Sequence, residues 1–239
     1  MKAVLIIRTG RAPDVIRARY GDFPQWFQRV ARLAPADVRV IDVAAGDVLP
    51  CARDVAGAII TGSGAMVTER LAWSEHAAGW IRDAMDVDLP LFGVCFGHQL
   101  MAHALGGRVD YLPGGREIGT LPITLLPDAA KDMAAASAPA TFRAHTTHEQ
   151  SVLEASPGAV VLARSARDPH QMLRYGRNAV STQFHPEFSA EVMRAYVRRK
   201  HAGTRHAELQ RLQAYRDVGA TPGARRLLRL FARRHGWSA

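Results

Sequence analysis

The sequence predicts an α/β fold: a doubly wound, mostly parallel sheet flanked by helices, with an antiparallel extension and a C-terminal helical tail. Up to residue 107, short apolar strands alternate with amphipathic helices, which is typical of a parallel sheet covered on both faces. After residue 107, strand-like segments follow one another without long helices, which predicts antiparallel pairing. From residue 189 the pattern is helical again to near the end of the 239-residue chain.

The first half of the chain supplies the predicted parallel sheet. Strands are expected at the apolar segments 2–7, 38–43, 55–60 and 89–94. Helices are expected at 23–33, 73–85 and 97–105, where apolar residues recur every three or four positions. The first apolar run is only five residues long before Arg8. We therefore interpret it as a strand and not as a signal peptide.

The second half predicts shorter strands at 120–126, 160–164, 172–175 and 180–184. The alanine-rich segment 129–140 is expected to be either a helix or an ordered surface loop. Three helices are expected in the tail, at 191–200, 204–217 and 222–235. We divide the chain into one domain over residues 1–200 and a basic helical extension over 201–239 that packs on it.

Composition and charge restrict the possible functions. Hydrophobic residues make up 48% of the chain, enough for a sizeable core, and no apolar stretch approaches the roughly 20 residues of a membrane span. The two cysteines form no disulfide framework, so we expect a reducing, cytoplasmic location. Residues 189–239 carry the whole net charge of +9. Because few aromatic residues accompany these charges, we expect solvated helix faces, and no binding to nucleic acid or membranes.

A candidate nucleophile, Cys95, stands where a predicted strand meets a predicted helix. Gly93 and Gly97 flank it, and such small neighbours allow the sharp strand-to-helix turn known as a nucleophile elbow. The start of the following helix would stabilise a thiolate there. Taken by itself, the pattern would favour a buried structural thiol.

A candidate base, His185, ends the predicted strand 180–184 and is followed by Pro186 and Glu187. Cysteine and histidine partners of this kind are commonly far apart in sequence and adjacent in the fold. His185 would take the proton of Cys95, and Glu187 would orient the imidazole. The three residues predict a Cys-His-Glu triad.

Two segments together resemble the class I glutamine amidotransferases: Gly-Val-Cys-Phe-Gly-His-Gln at 93–99 and Gln-Phe-His-Pro-Glu at 183–187. The resemblance extends over about residues 40–190. Members of the family that the chain resembles include the glutaminase domain of GMP synthase and free-standing gamma-glutamyl peptidases. It implies hydrolysis of the glutamine side-chain amide, or of a gamma-glutamyl amide, through a Cys95 thioester, with no cofactor.

The resemblance also suggests further site residues. The Phe96 amide is one expected donor to the oxyanion. By similarity to the family's Gly-Gly-Pro loop, the Ser63 amide in Gly62-Ser63-Gly64 is the other. A phosphate-binding loop is the rival interpretation of this glycine-bearing stretch, but no Gly-Lys-Ser/Thr follows it.

Substrate binding is expected at Gly62 and Gly64, at Gln99, one helical turn after Cys95, and in the block His-Thr-Thr-His-Glu-Gln at 145–150. This block resembles the family's Ser-His-Gly-Asp, which maps substrate contacts onto Thr147, Glu149 and Gln150. Here Glu149 replaces the glycine and Gln150 the acidic residue, which leaves the form of the substrate open. Histidines also occur in pairs here and near Cys95, but no full ligand set accompanies them, so no metal site is predicted.

Three functions remain open. The chain is either a glutaminase that passes ammonia to a separate synthetase subunit, or a gamma-glutamyl hydrolase or peptidase, or a non-catalytic regulatory module of the same fold. A separate synthetase subunit is expected in the first case, because the chain has no Ser-Gly-Gly-x-Asp-Ser adenylation loop. The intact triad argues against the third function.

Overall fold

The computed structural model describes residues 2–132, 135, 136, 138–199 and 205–237, with only the backbone for 205–208 and 210. The strands in this part of the chain are β1 Val4–Arg8, β2 Val38–Asp42, β3 Gly57–Ile60, β4 Leu91–Val94, β5 Arg108–Tyr111, β6 Glu117–Leu125, β7 Thr141–His148, β8 Gln150–Glu154, β9 Val160–Arg164, β10 Met172–Arg174 and β11 Ala179–Thr182. The α-helices are α1 Asp14–Tyr20, α2 Phe23–Ala31, α3 Ala72–Asp86, α4 Phe96–Ala104, α5 Ala190–Arg199, α6 Arg205–Arg216 and α7 Pro222–Arg234.

A nine-stranded sheet organises the molecule, in the order β2-β1-β3-β4-β11-β10-β9-β6-β7. The strands β2, β1, β3, β4 and β11 run parallel. From β11 to β7 every pairing is antiparallel. β5 and β8 form a separate antiparallel pair. The predicted fold class, a mostly parallel sheet with an antiparallel extension, is confirmed.

The core has two layers, one on each face of the sheet. Because successive side chains of a strand point to opposite faces, Val4 and Ile6 pack in the layer that contains α2 and α7. Leu5 and Ile7 pack in the other layer, with the buried faces of α3 and α4. Helices on both faces are what a doubly wound sheet requires. Among the described residues, no helix combines the length and hydrophobicity needed to cross a membrane.

Several elements differ from the sequence predictions. The predictions omitted α1, β5, β7 and β8. α1 buries only Ile16, so it shows no apolar stripe. In β7 the last five side chains are all buried, polar and apolar alike, so the strand shows no simple alternation. Within 129–140, the described part contains a 3₁₀ helix at Pro127–Lys131, while residues 133, 134 and 137 lie outside the described residues.

The tail contains α5, α6 and α7. α7 buries Leu227, Leu228 and Phe231. The ring centroids of Phe231 and Phe92, the latter in β4, are 5.2 Å apart, so this helix packs directly on the sheet. Lys200, at the proposed domain boundary, lies outside the described residues. The division at residue 200 therefore stays a prediction.

Candidate active site

Cys95 occupies a sharp turn between β4 and α4. Its backbone has φ 54° and ψ −105°, a left-handed conformation that is unfavourable for a residue with a β-carbon. Its amide donates to the carbonyl of Thr182 at the end of β11 (2.9 Å). The side chain is buried to 7% exposure. The turn therefore directs the thiol from the carboxyl edge of the sheet, as the glycine pattern predicts.

His185 lies just beyond β11, and its ring is held on both sides. Its amide donates to the carbonyl of His145 (2.8 Å). Its Nδ1–H donates to Oε1 of Glu187 (2.7 Å). The ring stacks on Phe188, with centroids 4.0 Å apart and planes 17° apart. Orientation by a carboxylate and by stacking leaves Nε2 as the reactive nitrogen, and Nε2 has no hydrogen-bond partner among the described residues.

Gly62, in the loop after β3, lies between these two residues. A β-carbon built at position 62 would be 3.2 Å from Cε1 of His185 and 3.6 Å from Cβ of Cys95. The imidazole and the cysteine side chain are therefore neighbours across one glycine. A larger residue at position 62 would press on both.

The pKa values of the two side chains move in opposite directions. Burial by itself raises the pKa of the Cys95 thiol, but the positive charge of His185 lowers it below its ordinary value of 9.0. Burial by itself lowers the pKa of His185, but the charges of Glu187 and Cys95 raise it to about 10. At neutral pH these shifts favour a thiolate and an imidazolium side by side.

A cavity of about 460 Å³ opens at this edge of the sheet. The predicted site residues that line it are Ser63, Gly64, Cys95, Phe96, Gln99, Thr147, Glu149, Gln150 and His185. Glu187 is not among them; it lies behind His185 and borders a second cavity of about 430 Å³. Nine predicted site residues thus share one cavity, with Gly62 packed beneath Cys95 and His185.

The hydrogen bonds around the predicted substrate residues show which polar atoms are already engaged. The carbonyl oxygen of Gln150 accepts from Nε2 of Gln99 (2.7 Å) and is 2.9 Å from Nδ1 of His148. The carbonyl of Glu149 accepts from the amide of Leu112 (2.8 Å). The Thr147 hydroxyl and the side-chain Oε1 of Gln150 have no hydrogen-bond partner among the described residues. These two groups are buried polar atoms of the block that remain without a partner in the described part of the chain, whereas the backbone carbonyls are already engaged.

Comparison with known proteins identifies the family of the chain. The sequence profile described as Glutamine amidotransferase class-I matches residues 23–202. The chain belongs to the class I glutamine amidotransferase family. The resemblance noted in the two sequence segments is confirmed.

Among curated relatives, Gamma-glutamyl peptidase 4 of Arabidopsis thaliana is 30% identical over 149 residues, 62% of this chain and 59% of that protein. A GMP synthase [glutamine-hydrolyzing] of Thermomicrobium roseum is 32% identical over 179 residues, 72% of this chain and 32% of that protein. The chain thus spans less than two thirds of the length of either relative.

Two solved structures share the fold. A glutamine amidotransferase from Methylobacillus flagellatus has a TM-score of 0.77 at 23% identity, covering 100% of this chain and 96% of that one. A glutamine amidotransferase from Thermotoga maritima has a TM-score of 0.77 at 18% identity, covering 98% of each chain.

Several residues that line the cavity of this family member were absent from the predictions: Arg11, Pro13, Phe23, Ala65, Met66, His148, Tyr196 and Arg199. Arg11 follows β1 by three residues and pairs with Asp42 (3.0 Å). Arg11 lies just past the carboxyl end of an interior strand, where sites form in sheets of this kind, so its sequence position could have indicated a place at the site. Ala65 and Met66 directly follow the predicted loop, and His148 lies within the predicted block 145–150, although no role was assigned to them. For the remaining residues, no local pattern indicates a position beside Cys95.

Behind the cavity lies a buried group of Glu117, His148 and Asp168, whose donor atoms lie within 4.8 Å of one another. This spacing could hold a metal ion. Both ring nitrogens of His148 are already within hydrogen-bond distance of oxygen atoms, however. Its Nε2 is 3.1 Å from Oε2 of Glu117, and its Nδ1 is 2.9 Å from the carbonyl oxygen of Gln150. The hydrogen bonds favour an internal polar network here over a metal centre.

Proposed function

We propose that this chain hydrolyses the side-chain amide of glutamine, or a gamma-glutamyl amide, through a thioester on Cys95. The observation that carries the proposal is the pairing of an elbow thiol with an imidazole that is itself oriented by a buried carboxylate. Cys95, His185 and Glu187 stand in the roles of nucleophile, proton carrier and orienting group. Membership of the class I glutamine amidotransferase family supports the same assignment.

In the first half-reaction, the Cys95 thiolate attacks the carbonyl carbon of the amide, and the carbonyl electrons move to oxygen. The His185 imidazolium then gives its Nε2 proton to the amide nitrogen. The C–N bond breaks, ammonia or an amine leaves, and the thioester remains. The raised pKa of His185, about 10, keeps this proton available at neutral pH.

The tetrahedral intermediate carries an oxyanion that needs preorganised N–H donors. The amide of Phe96 belongs to the first turn of α4, so it has no partner within the helix. Ser63 lines the same cavity from the loop after β3. We assign these two amides to the oxyanion; in other acyl-transfer enzymes the loss of one such donor costs about 10²–10³ in rate.

In the second half-reaction, neutral His185 takes a proton from water as the water oxygen attacks the thioester. The second tetrahedral intermediate collapses, the C–S bond breaks, and glutamate leaves. Sulfur departs as the thiolate and His185 stays protonated, so the starting ion pair is restored. Glu187 stabilises the imidazolium in both steps through the 2.7 Å hydrogen bond to Nδ1.

A gamma-glutamyl conjugate is the second candidate substrate. Arg11 and Arg199 line the cavity together with Tyr196, and departing ammonia needs none of these side chains. An amine leaving group that carries a carboxylate would find the guanidinium groups there. The similarity to Gamma-glutamyl peptidase 4 supports this candidate.

Partner and location follow from the chemistry of each candidate. If glutamine is the substrate, we propose a separate synthetase subunit that accepts the ammonia, an idea supported by the similarity to GMP synthase. We propose a cytoplasmic location, because the reaction needs Cys95 reduced, and both cysteines of the chain are free. The proposal includes no nucleic-acid partner.

The test is to trap the acyl-enzyme. Purified protein is mixed with glutamine or with each of a panel of gamma-glutamyl peptides, alone and with cell extract, then quenched in acid and digested. We expect the mass of one glutamyl group on the Cys95 peptide, with release of glutamate, and neither in Cys95→Ala. Absence of both adduct and glutamate for every compound would overturn the proposal. The compound that gives the most adduct identifies the substrate class.

A further inference from the structure

The group of buried polar residues behind the cavity connects two strands that end beside the site. Glu117 starts β6 and His148 ends β7, and the two are direct partners in the sheet. Asp168 lies in the loop before β10, with Oδ2 3.8 Å from Nε2 of His148. The side chains of all three are at most 2% exposed. The group is completed by Ser151, Ser165 and Gln171, which are also buried.

Both oxygens of Glu117 receive hydrogen bonds from neighbouring polar side chains. Its Oε1 accepts from the Ser165 hydroxyl (2.6 Å) and its Oε2 accepts from Nε2 of Gln171 (2.9 Å). That same amide nitrogen is 3.2 Å from Oδ2 of Asp168. The reverse orientation of the Gln171 amide would point its oxygen at two carboxyl groups. Both oxygens of Glu117 thus receive hydrogen bonds, which is the arrangement that suits a carboxylate.

The charge of His148 follows. Its Nδ1 is 2.9 Å from the Gln150 carbonyl oxygen, which can only accept, so Nδ1 carries a proton. Its Nε2 is 3.1 Å from Oε2 of Glu117, and a proton on Nε2 makes this contact a hydrogen bond from a cation to a carboxylate. A histidine with protons on both nitrogens is an imidazolium. Its pKa agrees: burial works against the charge, but the hydrogen bond to Glu117 and the charge of Asp168 raise the pKa above its ordinary value.

This cation faces the same cavity as the proposed nucleophile. His148 and Cys95 line the same cavity. The positive charge of His148 also contributes to lowering the Cys95 pKa, after that of His185. The Gln150 carbonyl joins His148 to Gln99, which lies on the helix that starts at Cys95. His148 is thus tied to the elbow by charge and by a shared acceptor.

We infer that His148 is a positioning residue that acts as a second permanent positive charge of the site, held charged by Glu117 and Asp168, and that it stabilises the Cys95 thiolate. The inference rests on the proposed function, in which Cys95 is the nucleophile. His185 loses and regains its proton in each cycle, whereas His148 keeps both protons. The positive charge of His185 therefore changes during the cycle, whereas that of His148 stays constant.

The thiolate can be measured without substrate, because iodoacetamide alkylates the thiolate and not the thiol. The other charged groups around Cys95 are His185 and Glu187, with Arg11, Glu149 and Arg199 around the cavity. All of them are left unchanged in the test. Exposed Cys51 is replaced by Ser in every protein, so that alkylation reports Cys95 alone. Alkylation rates are followed from pH 5 to 10 by mass spectrometry.

We expect His148→Gln to raise the pH midpoint of Cys95 alkylation by about one unit, as the loss of one nearby charge does. At pH values below both midpoints, alkylation should then be about tenfold slower. The matched control is His103→Gln, at the far end of α4 and bonded to Glu75 (3.1 Å), which should leave the midpoint unchanged. An unchanged midpoint in folded His148→Gln would overturn the inference. Because substrate is absent, that result is distinct from failure of the proposed hydrolysis.

A second measurement needs no substitution at position 148. The unmodified protein is labelled with ¹³C and ¹⁵N, and the histidine ring nitrogens are followed by NMR, with His148→Gln used only for assignment. If that variant does not fold, the through-bond connection of the His148 ring to its backbone gives the assignment. We expect two protonated ring nitrogens for His148 from pH 6 to pH 8. A neutral His148 ring at pH 7 would contradict the inference.

Discussion

Gly97 lies so close to the carbonyl group of Ile60 that a β-carbon at position 97 would come within 2.4 Å of that oxygen. The Gly97 amide also donates to the carbonyl of Thr61 (3.1 Å). The start of α4 is therefore held against the end of β3. This contact sets the separation between Cys95, which precedes α4, and the Ser63 loop, which follows β3.

We expect Gly97→Ala to separate these two elements. Overpacking of a filled interior costs roughly 1–3 kcal/mol in the free energy of unfolding. A small displacement of the nucleophile from its oxyanion donors should lower hydrolysis about tenfold or more. Urea unfolding and turnover assays measure the two effects.

The control is Gly79→Ala in α3, where a β-carbon would meet only Arg82 Nη2, at 3.7 Å. An alanine there should leave turnover unchanged and raise stability by up to about 1 kcal/mol, because glycine weakens a helix interior. A Gly97→Ala protein as stable and as active as the unmodified one would refute the packing argument.

Substitutions in the proposed triad should differ in severity. Cys95→Ala removes the nucleophile and should abolish hydrolysis. His185→Ala removes the proton carrier and should also lower the rate by several orders of magnitude. Glu187→Gln keeps the imidazole and should retain measurably more activity than His185→Ala. Circular dichroism must show a folded protein in each case, and equal residual rates for His185→Ala and Glu187→Gln would contradict the assigned roles.

The pH dependence of hydrolysis should have an alkaline limb set by His185. Its pKa is raised to about 10, against the effect of burial, chiefly by the charge of Glu187. The proton for the leaving group is therefore present below that pH and is lost as the pH rises through it, so kcat/KM should fall above about pH 10. Glu187→Gln removes the stabilising charge and should move this limb to lower pH. A limb at the same pH in both proteins would show that another group sets it.

Packing of α7 should contribute to the stability of the whole chain. Leu228 is fully buried in the core layer that contains α2. Leu228→Ala should lower the free energy of unfolding by about 2–5 kcal/mol. Arg226 is exposed on the same helix, and Arg226→Ala should change stability by less than about 0.5 kcal/mol. Similar urea midpoints for both variants would mean that α7 adds little.

The sequence alone was enough to predict the elbow, the histidine after the strand at 180–184, and the strands in the parallel first half of the chain. It placed the strand at 180–184 in the antiparallel part, whereas β11 pairs in parallel with β4. These features are local. Each was predicted from residues close together in sequence: an apolar run, the two glycines around Cys95, and the Pro-Glu pair after His185. Burial on both faces of the sheet also leaves continuous apolar strands, such as the one before Cys95, that are readable without a partner.

Only the tertiary structure decided which distant polar side chains meet. In β7, His145 and His148 point to opposite faces of the strand, and both are buried. Because residues on both faces are buried, the strand shows no alternation of polar and apolar residues. Glu117 is 31 positions from His148, and its own sequence context shows nothing of that partner. A buried charge is stabilised by groups from other strands, and strand pairing sets those distances. The neighbouring residues in sequence determine the Cys95 turn. The charge of His148, in contrast, depends on how β6, β7 and the loop before β10 pack together.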